Sequence, residues 1–240
     1  MQRRARRVFV VGAALAAAAV CGLTAGCSAE LGGAGGPSGS SRPGGTANVA
    51  QPGRYSGLPE PCGAVPDDTL RELLPGGDAE AYEGETAATF DSARRVRCAW
   101  HTVTADGSHR LSVDLQRIVS YDPAVSDDDE AETEFEERAA DAGITVGVPE
   151  SPDDVSTPPA DPLASRALDG IGHVAFLDDR LTSVDPGERR DLTLAFRNAN
   201  VIVTVNYVVS TNEAGGVLDN ALLQQRIQQV ARQLAGGFDG

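Results

Sequence analysis

The side chains of this 240-residue chain best equipped for nucleophilic, redox or metal chemistry are four cysteines and three histidines. His101, His109 and His173 show no HxxxH-type spacing, and no cysteine-rich cluster accompanies them, so no tetrahedral metal site is indicated. His101 beside Trp100 reads as a surface or half-buried strand residue. Asp127-Asp128-Asp129-Glu130 and Asp178-Asp179 offer oxygen ligands of the kind calcium takes, but neither run has the alternation and central glycine of an EF-hand. The first run sits where acids favour a helix N-terminus, and the second reads as a solvated loop. No GxSxG elbow is present. Gly32–Gly36 has neither a strand before it nor a helix after it, so it is no phosphate loop. Paired carboxylates carry no information in a chain with 35 acids. Arg94, Arg95 and Arg97 form a basic cluster that could meet an acidic ligand; neutralising nearby acids is the simpler role. No catalytic residue, cofactor or metal ligand is assigned.

The cysteines carry the clearer chemistry. Arg3, Arg4, Arg6 and Arg7 precede an uncharged run from Val8 to Gly26, which closes on Leu23-Thr24-Ala25-Gly26-Cys27. A charged start, an apolar middle and small residues before a cut define an export signal. The run is long enough to raise a membrane-spanning helix. It is mostly alanine, glycine and valine, however, and no positive cluster follows it. Cys21 follows Val20, a poorer fit to a peptidase site. The expectation is a signal peptide over residues 1–26, a cut before Cys27 and lipidation of Cys27; an ordinary secreted protein cut nearby is the alternative. Arg6-Arg7-Val8-Phe9-Val10 suits a twin-arginine signal and equally a plain basic start. Cys62 and Cys98 remain as an even pair in an oxidising compartment, which predicts a disulfide over two free thiols.

All 20 basic residues are arginine. Without residues 1–26 the chain keeps 16 arginines against 35 acids, a net charge of −19. Such a surface repels phosphate backbones and anionic headgroups, so nucleic acid is not an expected partner.

Around these residues the chain divides readily. From Cys27 to residue 57 glycine, serine and proline dominate, with Glu30, Arg42 and Arg54 as the charges after the cysteine. That composition predicts a disordered tether, about 30 Å root-mean-square for ~30 residues. Residues 58–240 form the folded part. Pro66-Asp67-Asp68 announces a helix with an aspartate cap and a stripe of Leu70, Leu73 and Leu74. Arg94–Thr104 reads as a strand with Val96, Cys98 and Trp100 on one face. The turn Ala105–Ser108 returns it through Leu111, Val113 and Leu115. Ser126–Ala142 predicts a helix with a thin stripe of Ala131, Phe135 and Ala139, ended by Gly143. Residues 149–162 read as a loop, 168–176 as a glycine-broken lead into a strand, and Asp178–Glu188 as a second acidic loop. Leu192, Leu194 and Phe196 alternate, Asn198-Ala199-Asn200 turns, and Val201 to Val209 alternate back as a central hairpin strand. Leu218–Leu234 predicts the last helix, with Leu218, Leu222, Leu223, Ile227, Val230 and Leu234 inward. The fold class is therefore α+β, a mainly antiparallel sheet covered by helices with one disulfide. Two β-β-α halves, 58–148 and 163–238, are an open possibility.

Pro61-Cys62-Gly63, Cys98-Ala99-Trp100, Gly170–Phe176 and Arg197-Asn198-Ala199-Asn200 running into a valine-rich strand resemble an uncharacterised actinobacterial envelope lipoprotein family. The resemblance spans most of residues 58–235. It implies a lipoprotein with one disulfide and no established chemistry. A lipoprotein of this kind carries a diacylglyceryl group on Cys27, and often a third acyl chain; stable anchoring takes more than one chain. The expected partners are the cell membrane, through that lipid, and an unknown envelope protein or small ligand. The leading expectation is a non-enzymatic binding domain outside the membrane. A cell-envelope hydrolase and an accessory subunit of an envelope complex stand as alternatives.

Overall fold

Alternating apolar residues from Cys98 to Val209 build one antiparallel sheet. The computed structural model describes residues 49–147, 161–213 and 218–238. The signal, Cys27, the tether to residue 48 and the loop through residue 160 lie outside the described residues. Seven strands run β1 (Glu85–Thr86), β2 (Arg95–Val103), β3 (Gly107–Arg117), β4 (Arg166–Leu168), β5 (Val174–Ser183), β6 (Glu188–Asn198) and β7 (Val201–Thr211). Their spatial order is β1-β2-β3-β7-β6-β5-β4. The valine-rich β7 is central, as its two-sided pattern predicts, and pairs β3 from Gly107↔Thr211 to Arg117↔Val201. Among the described residues four α-helices accompany the sheet in an α+β fold: α1 (Asp67–Leu73), α2 (Ala79–Glu83), α3 (Asp127–Asp141) and α4 (Asn220–Gly236). Among the described residues no helix is long and apolar enough to cross a membrane.

The two faces of the sheet differ. On one, the cross-strand row Cys98, Val113, Val205 and Leu194 joins Trp100 and Tyr207 and meets α1 and α4 in the larger core. Leu70, Leu73, Ile227 and Val230 contribute from the helices. On the other, Ala131, Phe135 and Ala139 of α3 meet Ile118, Phe176, Ala195 and Ile202. Phe135 and Phe176 lie 5.4 Å apart. Burying a phenylalanine side chain contributes about 1.5–3 kcal/mol, so this thin stripe depends largely on one ring.

Helix ends follow local chemistry. Ser126 Oγ accepts from Asp129 N–H at 3.1 Å to start α3, and Asp219 Oδ1 accepts from Leu222 N–H at 3.0 Å to start α4. The cap expected for α1 is corrected: Pro66 holds the N-cap position without a side-chain bond. Asp67 and Asp68 are already in the first turn, paired with Arg71 at 3.2 and 3.0 Å. Leu222 is 40% exposed and does not join the inward face of α4; Gln224 and Ala231 do.

The acidic loop expected over Asp178–Glu188 is mostly strand. β5 continues to Ser183 because its acids have partners. Asp178 pairs with Arg180 at 2.8 Å and accepts from Ser165 Oγ at 3.0 Å. Asp179 pairs with Arg190 at 2.7 Å and accepts from Gln224 Nε2 at 2.6 Å. Only Val184–Gly187 is left to turn the chain.

Residues 53–55, expected within the tether, are held by the folded part. Gly53 N–H donates to Asp127 Oδ2 at 3.0 Å, and Tyr55 exchanges two 2.9 Å hydrogen bonds with the fully buried Asn200. The Tyr55 hydroxyl donates to Phe238 O at 2.9 Å. This arm is tied down by polar contacts that glycine-rich composition does not announce.

The two-halves expectation is also corrected. The second half carries four strands, not two. A two-fold axis relating antiparallel β3 and β7 would stand normal to the sheet and leave both helices on one face. Instead α3 and α4 lie on opposite faces.

Candidate functional site

The disulfide is the one predicted pair that the structure brings together. Cys62 and Cys98 are joined, with Cα atoms 5.1 Å apart. Cys62 lies in a 3-10 turn, Cys62–Ala64, just before α1, and Cys98 is fully buried on β2. The bridge therefore staples the entry to α1 onto the sheet. Beside it, Trp100 Nε1–H donates to Tyr82 O at 3.1 Å, which docks α2 against the same strand.

The histidines stay apart. His109 Nδ1 lies 3.1 Å from the Tyr207 hydroxyl, which itself donates to Leu73 O at 2.6 Å. Burial, with Arg226 adding to it, lowers the His109 pKa from its ordinary value. His173 Nδ1 accepts from Ala199 N–H at 3.3 Å. His101 is exposed on β2, opposite Arg110. Among the described residues none of the three hydrogen-bonds a carboxylate, and no three His, Cys, Asp or Glu side chains converge as a metal set. Asp127, from the acidic run considered for calcium, holds two backbone N–H groups: Gly53 at 3.0 Å and Ser120 at 2.9 Å.

Two clefts remain. One lies between α3 and the lead into β5, about 610 Å³ in volume. Its cation is already engaged, since Arg197 Nη2 sits 3.0 Å from Glu132 Oε2.

The other, also about 610 Å³, opens at the β1–β2 edge on the face that α3 leaves bare. Among the described residues α3's apolar contacts stop at Ile118, Phe176, Ala195 and Ile202. Beyond them the sheet presents a polar floor. One row across it reads Asp178, Thr193, Asn206, Ser112, Ala99 and Glu85. The next reads Arg180, Asp191, Val208, Arg110 and His101. Antiparallel sheets can leave one face to water, so a bare face by itself is ordinary. The charges on this one are less so. Arg95 pairs with Asp114, Arg180 with Asp178 and Arg189 with Asp191, at 3.0, 2.8 and 2.6 Å. Arg97 donates only to Ser112 Oγ, at 3.3 Å. Neither Arg97 nor Arg110 has a carboxylate within 4.0 Å among the described residues. Yet Asp78, Glu80 and Glu85 line the same cleft.

The arginine cluster thus divides. Arg94 and Arg95 neutralise acids, Asp91 at 3.7 Å and Asp114 at 3.0 Å, as the simpler reading expects. Arg97 does not. Arg110 lies two cross-strand rows from Arg97, opposite His101, a pairing that follows from counting back from the Ala105–Ser108 turn. The acidic wall was not legible, because the Glu85↔Ala99 pairing of a two-residue strand leaves no periodic signal.

No protein-family model matches this chain, and no curated protein does either.

Proposed function

We propose that this protein is an envelope lipoprotein: exported, cut before Cys27, moored by acyl chains on that cysteine, and presenting a non-enzymatic binding domain on the outer side of the membrane. The anchor rests on Leu23–Cys27 and on the resemblance to actinobacterial envelope lipoproteins. The Cys62–Cys98 bridge supports the compartment, since disulfides persist where the surroundings are oxidising. The observation that carries the binding role is the polar half of the sheet beyond α3, with a cleft whose arginines, Arg97 and Arg110, have no carboxylate within 4.0 Å among the described residues. Binding sites are concave, with a few polar groups set by a rigid frame, and here β2 and β3 are that frame.

The anchor is tested by Cys27→Ala. The variant should move from the membrane fraction to the medium or the soluble fraction. Unchanged membrane partition would refute lipidation at Cys27.

A further inference from the structure

The cleft at the β1–β2 edge has two walls of opposite charge that do not meet. Arg97 and Arg110 stand on the sheet floor with His101 beside them; Asp78, Glu80 and Glu85 stand on α2's entry, α2 and β1. Three other arginines of this face, Arg95, Arg180 and Arg189, each pair with a carboxylate. Here local structure keeps the two sets apart. Asp78 is committed to capping α2, accepting from Ala81 N–H at 2.9 Å. Glu85 is fixed in register with Ala99, whose methyl side chain leaves the space between the walls open. Arg97 is drawn down onto Ser112.

From these facts we infer that the cleft binds a zwitterion: a small amino-acid or peptide ligand whose carboxylate lies on Arg97 and Arg110 and whose ammonium lies on Glu80 and Glu85. A purely anionic ligand would satisfy the arginines and be repelled by the acids; a purely cationic one would meet the reverse. The dimensions agree. Glu85 and Arg110 stand on strands two places apart, about 10 Å between backbones. A dipeptide spans about 7 Å, and the side chains close the rest. Guanidinium groups take a carboxylate through paired N–H donors, so Arg97 and Arg110 set the orientation. This inference rests on the binding-domain reading and is independent of the lipid anchor.

The test uses the chain from Ser28 on. It contains every residue of both cores and both bridged cysteines, and so retains what folds the domain. L-alanyl-L-alanine is titrated and followed by NMR at the backbone amides of Arg97, Ala99 and Arg110. N-acetyl-alanyl-alanine and alanyl-alanine amide are titrated alongside, each lacking one charge. The free dipeptide should bind about tenfold more tightly than either blocked form, the size of one lost charge contact. Arg110→Gln should reduce the discrimination against the amide and leave that against the acetylated form. Glu85→Gln should do the converse, as a pairwise cycle requires. Equal shifts by all three ligands, or none at these amides, would overturn the inference. So would inorganic phosphate competing as well as the dipeptide, which would mark an anion site. The wild-type comparison among ligands needs no variant to fold. A failed titration beside a Cys27→Ala protein that leaves the membrane would sink the ligand class alone and spare the anchor.

Discussion

Reducing the Cys62–Cys98 bridge should cost this domain much of its stability. The bridge joins residues 36 apart in sequence. Loop-closure entropy for a ring of that size stabilises the folded state by about 3.8 kcal/mol. Domains hold together by roughly 5–15 kcal/mol, so the loss is a large fraction of the whole. The effect is a property of the unfolded chain. Without the bridge, the turn at Cys62 and helix α1, with Leu70, Leu73 and Leu74 buried behind it, are free to separate from β2 on unfolding. Denaturant titration of the oxidised and the reduced protein reads the difference directly. By heat the expected drop is about 8–15 °C, at 2–4 °C per kcal/mol for a domain this size. The double exchange Cys62→Ala with Cys98→Ala should fall further than reduction alone, because Cys98 is fully buried and its sulfur leaves a void beside Trp100. Oxidised and reduced proteins agreeing within about 1 kcal/mol would refute the loop argument. So would two thiols open to alkylation before any reductant is added.

The same corner makes Gly84→Ala severe. A Cβ there would stand 2.5 Å from Trp100 Nε1 and 2.6 Å from Cys98 Sγ, on a backbone at φ +76°. Overpacking and left-handed backbone together predict a loss of about 2–4 kcal/mol, measured by chemical denaturation; a neutral exchange would mean that α2 does not dock on β2 as described. Tyr207→Phe removes the buried hydroxyl that bonds Leu73 O and His109, a loss of about 1–3 kcal/mol. Burial pushes the Tyr207 pKa up to about 12 from 10.0, against the opposing pull of Arg226. The folded state therefore keeps a proton that the unfolded chain gives up. This contribution is present below pH 10 and is lost as pH rises toward 12. Denaturation midpoints across that range should slope downward in the wild type, and less steeply in Tyr207→Phe. His109 works at the other end. Its pKa is lowered, so as pH falls through 6.5 the unfolded chain takes up a proton first and stability declines. Removing that group with His109→Gln should flatten the acid limb, and an unchanged limb would assign it to other groups.

Much of the frame is legible in the sequence. The β2–β3 hairpin, the hairpin of β6 and β7, the stripe of α3 and the stapling cysteines all come from short-range signals: alternation, turn residues, a heptad-like spacing, an even cysteine pair. Where the reading failed, a distant partner had changed what a local pattern means. Asp178 and Asp179 look like loop residues until Arg180, Arg190 and Gln224 answer them within a strand. Residues 53–55 look like tether until Asn200 and Asp127 hold their backbone. Asn200 looks like a plain turn residue, and only its side-chain bonds show that it fastens this arm.

Sequence alone determined the alternation that makes β7 a core strand, the apolar stripes of α3 and α4, and which two cysteines could pair, because each depends on neighbours a few residues away or on composition. Only the tertiary structure decided that α3 and α4 take opposite faces, that α3 covers only part of its face, and that Arg97 and Arg110 look across a gap at Glu80 and Glu85. Those outcomes hang on the β3–β7 pairing, which joins residues about ninety apart, and on the docking of α2 against Trp100. Long-range register is set by the sum of many weak contacts, and no single stretch of chain contains that sum.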